Sequence, residues 1–138
     1  MRATAGDITY ISGKIPGRRS LLNLYEDAGW KAYTAQPDTL IAGIENSLKV
    51  YTAYDDKKLV GLARIVGDGK TFTYLLDILV MKSYQRMGIG RKLMAILTDD
   101  YGHTRQFVLL TDDSPATDGF YKACGLTPAE ESGCRDYL

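Results

Sequence analysis

The densest chemistry in the sequence lies in Gln85-Arg86-Met87-Gly88-Ile89-Gly90-Arg91-Lys92. Glycines at the start of a helix leave backbone N–H groups free to close on an anion with no side chain between. The aligned peptide dipoles add partial positive charge at the same place. Arg86, Arg91 and Lys92 add full charges. The segment reads as a pyrophosphate cradle or, on the glycines alone, as an ordinary strand-to-helix turn. Other phosphate loops fit less well. The dinucleotide fingerprint needs a small residue where Leu93 stands, and the P-loop needs Gly-Lys followed by Ser or Thr, where Gly90 is followed by Arg91-Lys92-Leu93. Asp77 is the second feature, the one charge within residues 75–81. A carboxylate in such a run is costly unless it has a task or a partner, and Arg64 on the neighbouring predicted strand is the candidate partner.

These residues need elements to hold them. Alternation and β-rich composition predict strands over 7–12, 49–54 and 59–66, with polar turns at 55–58 and 67–70. Residues 71–81 form a long strand that is apolar on both faces from Leu75, which predicts a central, covered strand. Helical spacing covers 18–28, 37–48 and 88–101, closed by Gly29 and Gly102 at the first and last. Residues 30–36 read as an aromatic-rich connection, 106–111 as a buried strand and 116–123 as a short helix. The tail, 126–138, is weakly patterned and carries at most an edge strand. Consecutive hairpin strands imply an antiparallel half, and the strand–helix–strand unit from 71 to 111 implies a parallel pair. The expected fold is an α/β (α+β) mixed sheet, mostly antiparallel, with helices on both faces.

Composition narrows the function. The 138 residues make one domain's worth of chain. Seventeen Lys and Arg balance seventeen Asp and Glu, so no global field would gather nucleic acid or an anionic membrane surface. No apolar run approaches spanning length and residues 1–10 hold no apolar leader core, so the chain reads as cytoplasmic. Cys124 and Cys134 lack metal-ligand spacing, and with His103 as the single histidine no metal site is expected. Neither cysteine has a histidine nearby to activate it as a nucleophile. His103 follows Gly102 in what reads as a surface loop.

Gln85-x-x-Gly88-x-Gly90, following the strand that ends Asp77-Ile78-Leu79-Val80, resembles the Q/R-x-x-G-x-G/A signature of the GNAT superfamily, the GCN5-related N-acetyltransferases. Phe120-Tyr121-Lys122-Ala123-Cys124-Gly125-Leu126 resembles that family's second signature, an aromatic–Tyr helix ending in Gly-Leu or Gly-Phe. The close similarity runs over residues 59–126. It implies a central pair of parallel strands, 74–80 and 107–110, splayed at one end around acetyl-CoA. The pyrophosphate would meet backbone N–H groups over Gln85, Arg86, Met87, Gly88, Ile89 and Gly90, with Arg91 beside them. Pantetheine would pair with the main chain of Ile78, Leu79 and Val80.

Acetyl transfer to an amine needs a polarised carbonyl, a proton for the thiolate and a deprotonated amine. The resemblance implies Tyr121 as the proton donor. It makes Asp77 the candidate general base or amine anchor, set against the pairing with Arg64. Tyr25, Trp30 and Tyr33 would then border the acceptor as a pocket for an aromatic or cationic amine, or else pack as an ordinary loop. The implied activity is N-acetyl transfer to a small-molecule or protein amine. The competing reading is an acyl-CoA-binding regulatory domain without turnover.

Two departures stand out. Lys82 replaces the usual Pro after the fourth strand. The segment after the fifth strand, Thr111-Asp112-Asp113-Ser114-Pro115-Ala116-Thr117-Asp118, lacks the usual Asn, leaving Ser114 or Thr117 to serve in its place. The short tail implies a last hairpin that is truncated or completed by a partner subunit, as in a homodimer.

Overall fold

The computed structural model describes residues 7–138. Residues 1–6, part of the segment read for a leader, lie outside the described residues. The chain runs β1 (Ile8–Ser12), α1 (Arg18–Asp27), α2 (Lys31–Thr34), α3 (Pro37–Glu45), β2 (Lys49–Asp55), β3 (Lys58–Gly67), β4 (Phe72–Val80), α4 (Ile89–Tyr101), β5 (Gln106–Leu109) and α5 (Pro115–Ala123). Short 3₁₀ turns occupy Lys82–Tyr84 and Ala129–Ser132. The aromatic connection therefore contains one helical turn, α2, that its sequence does not announce.

The strands form one sheet in the order β1-β2-β3-β4-β5. The first three pairings are antiparallel and the last, β4 with β5, is parallel. Helices cover both faces. A Cβ on Gly61 would lie 3.1 Å from Ile89 and 3.4 Å from Leu93 of α4. Arg64, three residues on and so on the other face, meets the Asp77–Tyr25 pair under α1. Leu21, Leu24 and Tyr25 of α1 and Leu93 and Leu97 of α4 are fully buried. Each such side chain contributes about 1.5–3 kcal/mol of transfer free energy.

Two expectations are corrected here. The parallel pair lies at an edge of the sheet, because the tail adds no strand after β5. Pro128-Ala129-Glu130-Glu131-Ser132-Gly133 lacks the β-branched and aromatic residues that favour a strand, and it folds as a 3₁₀ turn ended by Gly133 at φ 75°. The doubly covered strand is β3, buried continuously from Leu59 to Ile65. In β4, Thr73, Leu75, Asp77 and Leu79 are buried, whereas Leu76 on the opposite face is 38% exposed. The apolar run of β4 thus serves a covered face and an open one.

Candidate active site

The open face exists because β4 outruns its parallel partner. The β4–β5 ladder begins at Phe72↔Gln106 and ends at Leu75↔Leu109, while β4 continues through Val80 against β3. Beyond Leu75 that edge of β4 has no β5 residue beside it, and a cleft opens there. The cleft holds about 330 Å³. Leu75, Leu76 and Ile78 form one wall, Leu110, Thr111 and Asp112 the other. Thr117 and Tyr121 enter from α5, and Trp30 closes the side under α1. A concavity of about 340 Å³ over β1 and β2, at Thr9, Lys14, Thr52 and Lys57, is no smaller. Neither concavity includes a residue between 82 and 91, and the one between β4 and β5 is set apart by Tyr121 on its wall.

The loop from β4 to α4 is tied down at several points. The Met81 N–H donates to the Val60 carbonyl at 2.8 Å. The Lys82 N–H donates to the Asp27 carboxylate at 2.8 Å, and the Tyr84 hydroxyl to the Asp55 carboxylate at 2.5 Å. The Gln85 side-chain amide donates to the Val80 carbonyl at 3.2 Å, closing the strand end. Arg86 (φ 64°) and Gly88 (φ 82°) are both left-handed, a conformation costing a non-glycine residue about 1 kcal/mol. Gly88 caps α4, and a Cβ there would meet open space, so its backbone angle is what calls for glycine. At Gly90 a Cβ would touch the Phe120 ring of α5 at 3.4 Å and Val80 at 4.0 Å, about ordinary contact distance. Arg86, Arg91 and Lys92 are exposed and form no ion pair among the described residues.

Tyr121 is half-buried on the cleft wall, its ring edge-on to Phe120 at 5.1 Å between centroids. Burial, and then the nearby Cys124 and Asp112, push its phenol above the ordinary tyrosine range, so the hydroxyl keeps its proton. Ser114 is used differently from the expectation that it meets a cofactor. Its hydroxyl accepts the Thr117 N–H at 3.3 Å and pairs with the Thr117 hydroxyl, which caps α5. Of the two proposed substitutes for the usual Asn, Thr117 stands on the cleft wall and Ser114 does not.

Asp77 lies on the Leu75 side of β4, opposite Leu76 and Ile78, and is not among the cleft residues. Its Oδ2 accepts Arg64 Nε at 2.5 Å and the Tyr25 hydroxyl at 2.8 Å, and its Oδ1 accepts the Tyr33 hydroxyl at 3.3 Å. The Asp77 and Arg64 side chains are 1% and 5% exposed. The expected meeting of Asp77 with an incoming amine is corrected by this geometry: both oxygens are engaged and neither borders the cleft. Tyr25 is fully buried and no pocket wall. Burial first, and then the Asp77 charge, hold its phenol protonated far above the usual range. Tyr33 stacks over Arg64 at 5.9 Å. Trp30 alone of the three aromatics reaches the cleft, packed on Tyr25 and Tyr33 at 5.7 and 6.0 Å.

A family model described as the acetyltransferase (GNAT) family matches residues 18–126. The chain belongs to the GNAT acetyltransferase family. This acetyltransferase resembles the GNAT-family protein SP0256 of Streptococcus pneumoniae TIGR4, with 31% identity and a TM-score of 0.85 over 95% of this chain and 96% of that one. It also resembles SA2161 of meticillin-resistant Staphylococcus aureus, a protein of unknown function and candidate acetyltransferase, with 26% identity and a TM-score of 0.78 over 95% and 98%. A curated relative, the Gibberella zeae protein FG08082, a candidate acetyltransferase by its name, is 40% identical over 57 residues. That match takes in 39% of this chain, which spans about a third of the relative's length (32%).

The residues present in this acetyltransferase fit a CoA thioester. An open strand edge suits an extended chain bearing amides, left-handed residues at a helix start suit a pyrophosphate, and a protonated phenol suits a sulfur leaving group. Among the described residues no group of three or more His, Cys, Asp or Glu is placed to hold a metal, and no helix is long and apolar enough to cross a membrane. Sequence reasoning did not pick out Asp112, Thr111, Leu76 or Leu110 as cleft residues, nor the tethers at Asp27 and Asp55. Asp112 sits in the very segment where the usual Asn is missing, which was the signal available.

Proposed function

We propose that this acetyltransferase moves the acetyl group of acetyl-CoA directly to a primary amine within a ternary complex. The carrying observation is the early end of the β4–β5 ladder, beyond which β4 borders, through Leu76 and Ile78, a cleft that Tyr121 enters. When bound, acetyl-CoA supplies an acyl group activated as a thioester. The main chain of Ile78, Leu79 and Val80 would pair with its pantetheine, and a backbone N–H near Leu79 or Val80 would polarise the carbonyl. Backbone N–H groups of Arg86, Met87, Gly88, Ile89 and Gly90 would hold the pyrophosphate, with Arg91 beside them. Gln85 fixes the end of β4 through the Val80 carbonyl. Tyr121 would give its hydroxyl proton to the departing thiolate.

Direct transfer is supported by the state of Cys124. Burial raises its thiol above the ordinary range, against a lowering by Arg91, and a protonated thiol is a poor nucleophile. Asp77 is assigned a positioning role, holding Arg64, Tyr25 and Tyr33 behind Trp30. Holding both substrates in register supplies much of the rate. The test is release of free thiol from acetyl-CoA over a panel of primary amines. Amine-dependent release supports the reading, whereas acetyl-CoA binding without release by any amine would favour a ligand-sensing domain.

A further inference from the structure

With Asp77 held by Arg64, Tyr25 and Tyr33, the cleft carries one carboxylate among the described residues, Asp112. It is built into place. Its Oδ1 accepts the Ser114 N–H at 3.2 Å and the Thr117 hydroxyl, which leaves Oδ2 without a protein hydrogen bond. The Thr117 hydroxyl, and then Ser114, hold the carboxyl below its ordinary pKa, so Asp112 is charged at neutral pH and is a weak base. Around it the walls are apolar: Leu76 and Leu110 are 38% and 48% exposed, and Trp30 and Ile78 complete the surface. The neighbouring carboxylates point to other work. Asp118 pairs with Lys122 at 2.9 Å, and Asp113, exposed like Asp112, does not border the cleft.

We propose that Asp112 anchors the ammonium group of the acceptor, and that the acceptor is a monoamine carried on a compact apolar or aromatic body. This rests on the cleft being the site of acetyl transfer. A single fixed carboxylate matches a single ammonium; a polyamine would find no second carboxylate on the cleft wall for its further charges. Trp30 offers an aromatic face to the body or to the ammonium itself. Asp112 thus recruits the charged form, and the amine gives up its proton to solvent before it attacks.

The test compares wild type with Asp112→Asn, which keeps the acceptor oxygen for Ser114 and Thr117. 2-Phenylethylamine and spermidine serve as acceptors, and 2-phenylethanol as an uncharged competitor of the same body. Wild type should prefer 2-phenylethylamine by at least tenfold in kcat/KM. Asp112→Asn should raise the KM for 2-phenylethylamine at least tenfold, while 2-phenylethanol inhibits both proteins equally and acetyl-CoA binds both alike by calorimetry. An unchanged amine KM in a variant that binds acetyl-CoA normally would overturn the anchor alone. A preference for spermidine would overturn the acceptor class. No acetyl-CoA binding by wild type would overturn the reading of the cleft itself and the anchor with it.

Discussion

Replacing Asp77 by Asn removes one charge from a pair sealed off from solvent. The two side chains retain 1% and 5% of their exposure. Asn preserves the shape and can still accept the Tyr25 hydroxyl, so the loss is confined to charge. The Arg64 guanidinium keeps the Asn oxygen, Ser47 at 3.4 Å and the Tyr33 ring as company but is left buried without a counter-charge. Removing one member of a buried pair costs about 3–5 kcal/mol. For a chain of this length each kcal/mol lowers the thermal midpoint by roughly 3–5 °C, so Asp77→Asn should melt about 10–20 °C below wild type. Far-UV circular dichroism on heating measures this directly. The double replacement Arg64→Met, Asp77→Leu removes both charges, leaves neither stranded, and should melt above the single variant. Below its midpoint Asp77→Asn should bind acetyl-CoA as wild type does, because no atom of Asp77 borders the cleft. A fall of less than about 3 °C, or a double variant that melts below the single one, would refute the reasoning.

Tyr121→Phe should lower kcat by about 10²–10⁴ while leaving acetyl-CoA affinity intact by calorimetry. Because burial raises the Tyr121 phenol above its usual value of ~10, the proton-donating form persists across neutral and moderately alkaline pH. Wild-type activity should therefore rise as the free amine appears, and a fall between pH 8 and 9 would contradict the donor role. Gly90→Asp brings a carboxylate to the helix start and a side chain against Phe120; acetyl-CoA binding should weaken at least tenfold in a protein whose circular dichroism is unchanged. Tyr84→Phe cuts the loop's tie to Asp55, and at about 1 kcal/mol for such a bond acetyl-CoA should bind roughly fivefold more weakly, with no change if the tie does not steady the loop.

Much of this architecture can be read from residue order. The glycine loop, the buried α4 stripe and the hairpin strands follow from periodicity, because each is a local pattern whose period matches its element. The pairing of Asp77 with Arg64 was legible as an alternative, since adjacent strands bring them opposite one another at Arg64↔Asp77. What periodicity does not carry is where a ladder stops. The run in β4 reads the same whether its second face meets a helix or a cleft, so the exposure of Leu76 becomes visible only once β5 is seen to pair no further than Leu109. The roles of Ser114 and Asp112 depend on how residues 112–117 close around the start of α5. There Ser114 supplies the cap and Asp112 is turned to the cleft, a division of labour set by side-chain geometry over a few residues.

The most direct test of the central claim is the amide spectrum of ¹⁵N-labelled protein titrated with acetyl-CoA. The account predicts saturable shifts at residues 78–80, at 86–91 and at Tyr121, with the β1–β2 concavity at Thr9, Thr52 and Tyr54 unmoved. Saturable shifts confined to that concavity, or none at about 1 mM, a concentration at which only binding weaker than about −4.1 kcal/mol goes unseen, would contradict it.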